Sequence, residues 1–276
     1  MKQLKYKFAV FCFCILVLPD MLRAQADSLS ASYYFTRTMM YGVGLANVYD
    51  TYLSPQEYKG IDFRLSRENM RMSKKFDGNV SIQNFFLANI AYTHNQADNN
   101  NTISGLFNWN YGMHYNFRVT NNFKILLGGL GDFNGGFVYN LHNSNNPTSI
   151  RAYINLDVSG MLVWDLKIKN RPFTLRYQAN APFVGVFFSP NYGQSYYEIL
   201  TLGNYSGVFK LTSFHKQLSI RQMLSVDIPI RYAKIRFTYL WDMQQSKVNN
   251  LQTHTYGHVF MVGAVKEFYR IKRKRQ

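Results

Sequence analysis

From Phe107 to Val119 every odd position is apolar (Phe107, Trp109, Tyr111, Met113, Tyr115, Phe117, Val119), while the even ones read Asn108, Asn110, Gly112, His114, Asn116 and Arg118. Side chains alternate between the two faces of a strand, whereas a helix would mix these sets, so the stretch is a long strand with one apolar and one polar face. The same period recurs over 152–168, 173–187, 218–230 and 233–243, and more loosely over 33–45, 80–92 and 123–139. Two segments are poorer: 61–72 changes phase near Ser66, which suggests a bulge, and 256–268 is apolar on both sides. Together they make about ten strands of roughly 12 to 17 residues, where soluble sheets use about 5 to 6.

Strands of that length suit a bilayer, which a tilted strand crosses in about 9 to 11 residues. The connectors alternate in length. Those at 75–78, 120–122, 169–172 and 229–232 are tight, and those at 47–59, 94–102, 142–149, 189–217 and 245–255 are longer and polar. Short turns on one side and long loops on the other are the rhythm of an outer-membrane barrel with both termini periplasmic. Trp109, Tyr115, Phe117, Trp164, Tyr239 and Trp241 fall on the apolar face, where an aromatic girdle belongs. A soluble sandwich or lipocalin-like barrel also alternates, but its outer face is the polar one and its strands are shorter. A chain that is 17% charged and 17% aromatic is no disordered polymer. Mean hydropathy of -0.24, with no later run of eighteen apolar residues, excludes a helical membrane protein. The expected fold is all-β: a transmembrane antiparallel up-and-down barrel of about ten strands, within a range of 8 to 12.

The N-terminus reads as an address. Lys2, Lys5 and Lys7 precede an apolar core from Phe8 to Pro19, and Ala24-Gln25-Ala26 fits a cleavage site. Residues 1–26 are therefore an expected signal peptide, 27–270 an outer-membrane barrel and 271–276 a basic tail. Cys12 and Cys14 lie in the signal core, so the mature chain has no disulfide and no thiol chemistry. Removing Lys2, Lys5, Lys7, Arg23 and Asp20 leaves 27 basic against 14 acidic residues, a net charge of +13. Export makes outer-membrane lipids or lipopolysaccharide the expected partners of that charge, with a surface or periplasmic protein as a further one and no nucleic acid.

On the polar face Arg64, Arg118, Arg176, Arg221 and Arg236 stand against Asp132, Asp157, Asp165, Asp227 and Asp242. Ten strands enclose a space that side chains largely fill, so these are expected to form a paired ionic core, with a narrow solute or proton path as the alternative.

The stretches 49–55 (YDTYLSP), 143–147 (NSNNP), 188–198 (FSPNYGQSYYE) and 202–204 (LGN) resemble those of a Bacteroidetes family of exported proteins known only as a domain of unknown function. The resemblance spans nearly the whole mature chain. It implies an outer-membrane-type barrel and brings no activity or catalytic residue with it.

Four of the loops invite a chemical reading. His142 and Ser144 are two apart, a spacing similar to that of outer-membrane phospholipase barrels, with Asn155 as the residue that would orient the histidine. An Asn/Ser/Pro run is also an ordinary turn. His94, Asp98, His215, His254 and His258 are the candidates for an outer-membrane protease rim. Gly128, Gly129, Gly131, Gly135 and Gly136 lie in a strand pattern where glycine permits bulges and close packing, so they are no phosphate loop. No metal-ligand set and no cofactor is expected. The loop 189–217 supplies the candidate ligand-binding residues Tyr192, Gln194, Tyr196, Tyr197, Glu198 and Asn204. The expected role is a structural or binding barrel with exposed loops; a narrow solute transporter and a lipid hydrolase using His142 and Ser144 stand as alternatives.

Overall fold

The computed structural model describes residues 33–73, 76–169, 171–230 and 233–270. The expected signal peptide, both cysteines and the tail 271–276 lie outside them. The strands are β1 (Tyr33–Asp50), β2 (Ser54–Met72), β3 (Val80–Asn95), β4 (Asn101–Arg118), β5 (Phe123–Asn140), β6 (Thr148–Ile168), β7 (Arg171–Phe188), β8 (Phe209–Ser213), β9 (Ile220–Pro229), β10 (Lys234–Val248) and β11 (Leu251–Arg270). One short helix, α1 (Tyr196–Leu200), precedes β8. Apart from β8 and β9, sequential strands pair antiparallel, and β1 pairs with β11, so the sheet closes on itself. Both β8 and β9 pair with β7, at residues 184–188 and 174–180 respectively. They share one place in the wall, and the result is a closed antiparallel barrel of ten strand positions. Closure removes the sheet edges that hydrocarbon could not satisfy.

The period-two pattern sets which face each residue takes. On β4 Phe107, Trp109, Tyr111, Met113, Tyr115 and Phe117 are exposed on the outside, while Asn108, Asn110 and His114 are buried in the lumen. On β1 the outward Met39, Tyr41, Val43 and Leu45 form a belt between Arg37 and Asn47. Ten residues at about 3.4 Å each, tilted about 40°, span about 26 Å, which matches the apolar band of a membrane barrel.

Five expectations need correction. Two of the long polar loops are mostly strand: β1 and β2 are joined only by residues 51–53 and β10 and β11 only by 249–250, whereas 96–100 and 141–147 remain connectors between β3 and β4 and between β5 and β6. Hairpins that rise above the apolar belt are polar on both faces and lose the alternation that marks them in the sequence. In β2 no bulge forms at Ser66; its register with β3 is unbroken from Tyr58 to Met72. The apparent change of phase arises because the outward residues turn from Ile61, Phe63 and Leu65 to Arg67, Asn69 and Arg71 as the strand leaves the belt. In β7 the alternation is not continuous. Pro182 pairs with Asp157 and Val184 with Leu156, so Phe183 is an extra residue and the phase flips, turning Phe187 into the lumen. The glycines of β5 make no bulge either, since β5 keeps register with both neighbours. Finally, the expected loop 189–217 contains α1 and β8.

Candidate functional site

The lumen is filled in layers. Toward the end that carries the tight turns, Glu68 accepts from Arg176 Nη1 at 2.6 Å, from Arg236 Nη1 at 3.0 Å and from Gln83 Nε2 at 2.5 Å. Arg236 also grips Asp227 with two bonds of 2.6 and 2.7 Å. Above this lies an apolar layer of Met40, Phe85, Leu87, Met223, Leu240, Val259 and Met261. This layer explains why β11 reads as apolar on both sides. A second polar layer follows: Arg64 bonds Asp62 at 2.8 Å and Asp242 at 2.6 Å, and Arg221 bonds Asp242 at 3.2 Å and Asn108. Near the loop end Arg151 faces Asp50 at 3.5 Å and donates to Thr255. Charges withdrawn from water this far are stable only when paired and hydrogen-bonded.

Six of the ten expected lumen charges, Arg64, Arg176, Arg221, Arg236, Asp227 and Asp242, meet in ion pairs. Asp132 is held instead by asparagines, with bonds from Asn110 at 2.5 Å, Asn134 at 2.6 Å and Asn155 at 3.3 Å, and a further one from Asn108. Asp157 is buried and its Oδ1 has no hydrogen-bond partner among the described residues. Arg118 and Asp165 are misplaced by the sequence reading: both have inward parity, but they stand at the turn-end rim, past the filled section, and are exposed. Asp165 lies 3.8 Å from Lys124 and accepts from Thr174. Four charged partners were missed, Asp50, Asp62, Glu68 and Arg151. Glu68 was hidden by the supposed phase change at Ser66; carrying the parity of Asp62 and Arg64 onward places it inside. Also missed is His114, whose Nε2 lies 2.8 Å from Ser159 Oγ in the interior.

At the loop end, residues 189–208 fold into a cap. Ser195 and Glu198 make a capping box that starts α1. The Tyr196 hydroxyl accepts from the Ile150 amide at 2.7 Å, and its ring meets Tyr52 edge-on at 5.1 Å. Gln194 is a buried brace: its Oε1 accepts from the Asn191 amide and its Nε2 donates to the Asn204 carbonyl. Asn249 ties the cap to the β10–β11 turn by donating to the Ser189 and Gly207 carbonyls. Burial pushes the Tyr196 phenol up to about 12 and raises that of Tyr52. Of the six candidate ligand-binding residues, then, Gln194, Tyr196 and Glu198 hold the cap together, whereas Tyr192, Tyr197 and Asn204 are exposed on it.

The candidate catalytic groups are not brought together. His142 Nδ1 accepts from the Asn101 amide at 3.4 Å, Ser144 is exposed in the same connector, and Asn155 faces the lumen on β6 against Asp132. Seven residues of strand put Asn155 about 23 Å along β6 from its loop end. His94 is exposed on the outside of β3, and Asp98 sits in the β3–β4 turn with φ 52°. His215 lies in the connector between β8 and β9, His254 stacks between Tyr49 and Tyr256, and His258 meets the Tyr239 hydroxyl at 2.7 Å on the outer wall. His254 and His258 do have the spacing of a helical metal pair, but on a strand four residues separate them by about 13 Å. Among the described residues no three His, Cys, Asp or Glu side chains are grouped to hold a metal.

Two cavities open at the loop end, each of about 20 Å³, one lined by Asp50, Tyr52, Arg151 and Phe188, the other by Tyr153, Gln217, Ser219 and Gln244. A space of that size holds about one water.

A closed, side-chain-filled barrel with an apolar outer belt and a folded cap is an outer-membrane-type β-barrel. The chain belongs to the family described as "Protein of unknown function (DUF3316)", whose model matches residues 9–275. No curated protein matches it. Among solved structures it is similar to the transport unit of the autotransporter AIDA-I from Escherichia coli, at 7% identity and TM-score 0.43 over 95% of this chain and 97% of that one. It is also similar to the translocator domain of NalP from Neisseria meningitidis, at 9% identity and TM-score 0.40 over 98% of both chains. A third likeness is to the outer membrane protease OmpT from Escherichia coli, at 8% identity and TM-score 0.40 over 88% of this chain and 99% of that one.

Proposed function

We propose that this outer-membrane barrel is a non-conducting stalk that presents its cap, residues 189–208, at the cell surface for binding. The observation that carries this reading is the contrast between a lumen packed with paired charges and a cap built to stay folded. The turn end faces the periplasm, as short turns do in such barrels. A signal peptide cleaved after Ala26 delivers the chain, and the loop stretches that resemble a Bacteroidetes exported family suit a protein of that phylum. A narrow solute transporter needs a continuous path, which the paired charges and the apolar layer across the lumen interrupt. The lipid hydrolase needs His142, Ser144 and Asn155 in contact. Liposome swelling tests the proposal. Vesicles containing the protein should exclude arabinose as protein-free vesicles do, and swelling at the rate of a control porin would overturn it. Replacing 191–206 by a Gly/Ser linker should leave the barrel heat-modifiable on gels while abolishing adhesion of cells to the protein's surface partner.

A further inference from the structure

We infer that the outer wall of β11, β1 and β2 carries a binding site for anionic glycerophospholipid at its turn end. Around most of the barrel the outward residues at that level are apolar, as with Phe117 on β4, Trp164 and Ile168 on β6, and Phe237 on β10. On β11, β1 and β2 they include Lys266, Arg37, Arg67 and Arg71, all exposed, with the aromatic Phe35 and Phe268 level with Arg71. Register places Arg37 directly opposite Lys266, with Arg67 opposite Met39 and Arg71 opposite Phe35, so the four cations occupy one patch of three strands. With strands about 4.8 Å apart and same-face neighbours about 7 Å apart along each, long side chains from all four can converge on one headgroup. The carboxylates on these strands near the patch face the other way: Glu68 is bound to Arg176 and Arg236 in the lumen, and Glu267 has inward parity and bonds Lys234. Arg37, Arg67 and Arg71 form no ion pair among the described residues.

Depth selects the ligand. The patch stands where the apolar belt of Met39, Tyr41, Val43 and Leu45 ends, which is the level of lipid phosphates. The Arg37 guanidinium lies 5.7 Å from the Phe35 ring, and Phe35 packs against Phe268, so the cation is directed toward the headgroup side. Arginine forks suit phosphate oxygens, and the acyl chains of the same lipid would lie on the belt above. The leaflet assigned rests on the periplasmic placement of the turn end proposed above. Surface proteolysis of intact cells reads that placement separately.

The test is native mass spectrometry of the mature protein in detergent with phosphatidylglycerol, cardiolipin, phosphatidylcholine or lipid A. Phosphatidylglycerol and cardiolipin should be retained about tenfold over phosphatidylcholine, and less so at high salt. The variant R37Q/R67Q/K266Q should lose that preference with heat-modifiable migration intact, and K210Q/K216Q/K247Q, at the loop end, should keep it. Equal retention of phosphatidylcholine, a preference for lipid A alone, or an unchanged preference in the folded triple variant would overturn the inference. If the triple variant does not fold, salt-independent phosphatidylglycerol binding by the unaltered protein overturns it equally.

Discussion

Glu68→Gln tests whether the lumen is held by its ion pairs. Among the described residues Glu68 is the one carboxylate paired with Arg176, whereas Arg236 keeps Asp227 at 2.6 Å when Glu68 is neutralised. The substitution therefore leaves one buried guanidinium with no carboxylate, only the neutral Gln178 Oε1 at 2.6 Å, and weakens a second. Breaking a buried pair on one side costs about 3–5 kcal/mol, a factor of roughly 10² to 10³ or more in the folded-to-unfolded ratio. Asp227→Asn should cost less, because Arg236 retains Glu68 at 3.0 Å. Asp165→Asn should cost only about 0–1 kcal/mol, since its partner Lys124 is 3.8 Å away and both side chains are more than a third exposed. Urea unfolding of the detergent-folded barrel, read from the fast-migrating band of unheated gels, gives the three values. Removing both charges with Glu68→Leu and Arg176→Met should recover much of the loss, because no unpaired charge on that pair is left to desolvate. A Glu68→Gln barrel within about 1 kcal/mol of the unaltered protein would refute the reasoning, and would mean that water or a relaxed lumen supplies what Glu68 is assigned here.

The remaining predictions concern the loop end and the wall. The raised phenol of Tyr196 should make the cap sensitive to alkali: a group whose folded value lies above its free value of 10.0 stabilises fully below pH 10 and progressively less as pH rises toward about 12. Protease cleavage within 189–208 should therefore accelerate between pH 10 and 12, and Tyr196→Phe should show faster cleavage already at neutral pH; a flat profile counts against the anchoring role. Asn249 and Asn250 have φ of 53° and 63°, the pattern of a two-residue type I′ turn, so Asn250→Gly should be tolerated and Asn250→Val should destabilise by about 1–2 kcal/mol in the same urea assay. Deleting Phe183 should restore unbroken alternation in β7 without changing any other pairing, because Pro182 already meets Asp157 and Val184 meets Leu156, so Phe187 should stay in the lumen and the cap keep its protection; cap proteolysis on a heat-modifiable variant measures it.

How far the sequence carries the fold depends on what surrounds each strand. Where one face meets lipid and the other the polar lumen, as at 107–119 and 152–168, the alternation is unambiguous and the ten-strand barrel follows from it. Where that contrast vanishes, the signal vanishes with it. Above the belt both faces of a hairpin are wet, so the tips of β1–β2 and β10–β11 read as loops, although Asn249-Asn250 is a turn signal that could have restored the second. Below the belt the outward side of β2 turns basic, and Arg67 and Arg71 imitated a shift of phase. Inside, the apolar layer around Leu240 and Val259 made β11 look two-faced. The misreading of β2 comes from assuming that polar means inward, whereas Arg118 and Asp165 have inward parity and simply lie too far along their strands, at the exposed rim. Parity counted from a securely placed residue is the better guide: from Arg64 it reaches Glu68 correctly, and from Tyr41 it places Arg37 outward beside Lys266. Parity fails only at an inserted residue, and Phe183 is that case, preceded by the one proline inside the lumen-facing run of β7, where a missing amide loosens the ladder. The candidate binding cap was legible in part, because its tyrosines stand out in composition, but which of them face outward is decided by Ser195, Gln194 and Ile150, contacts that no local pattern records.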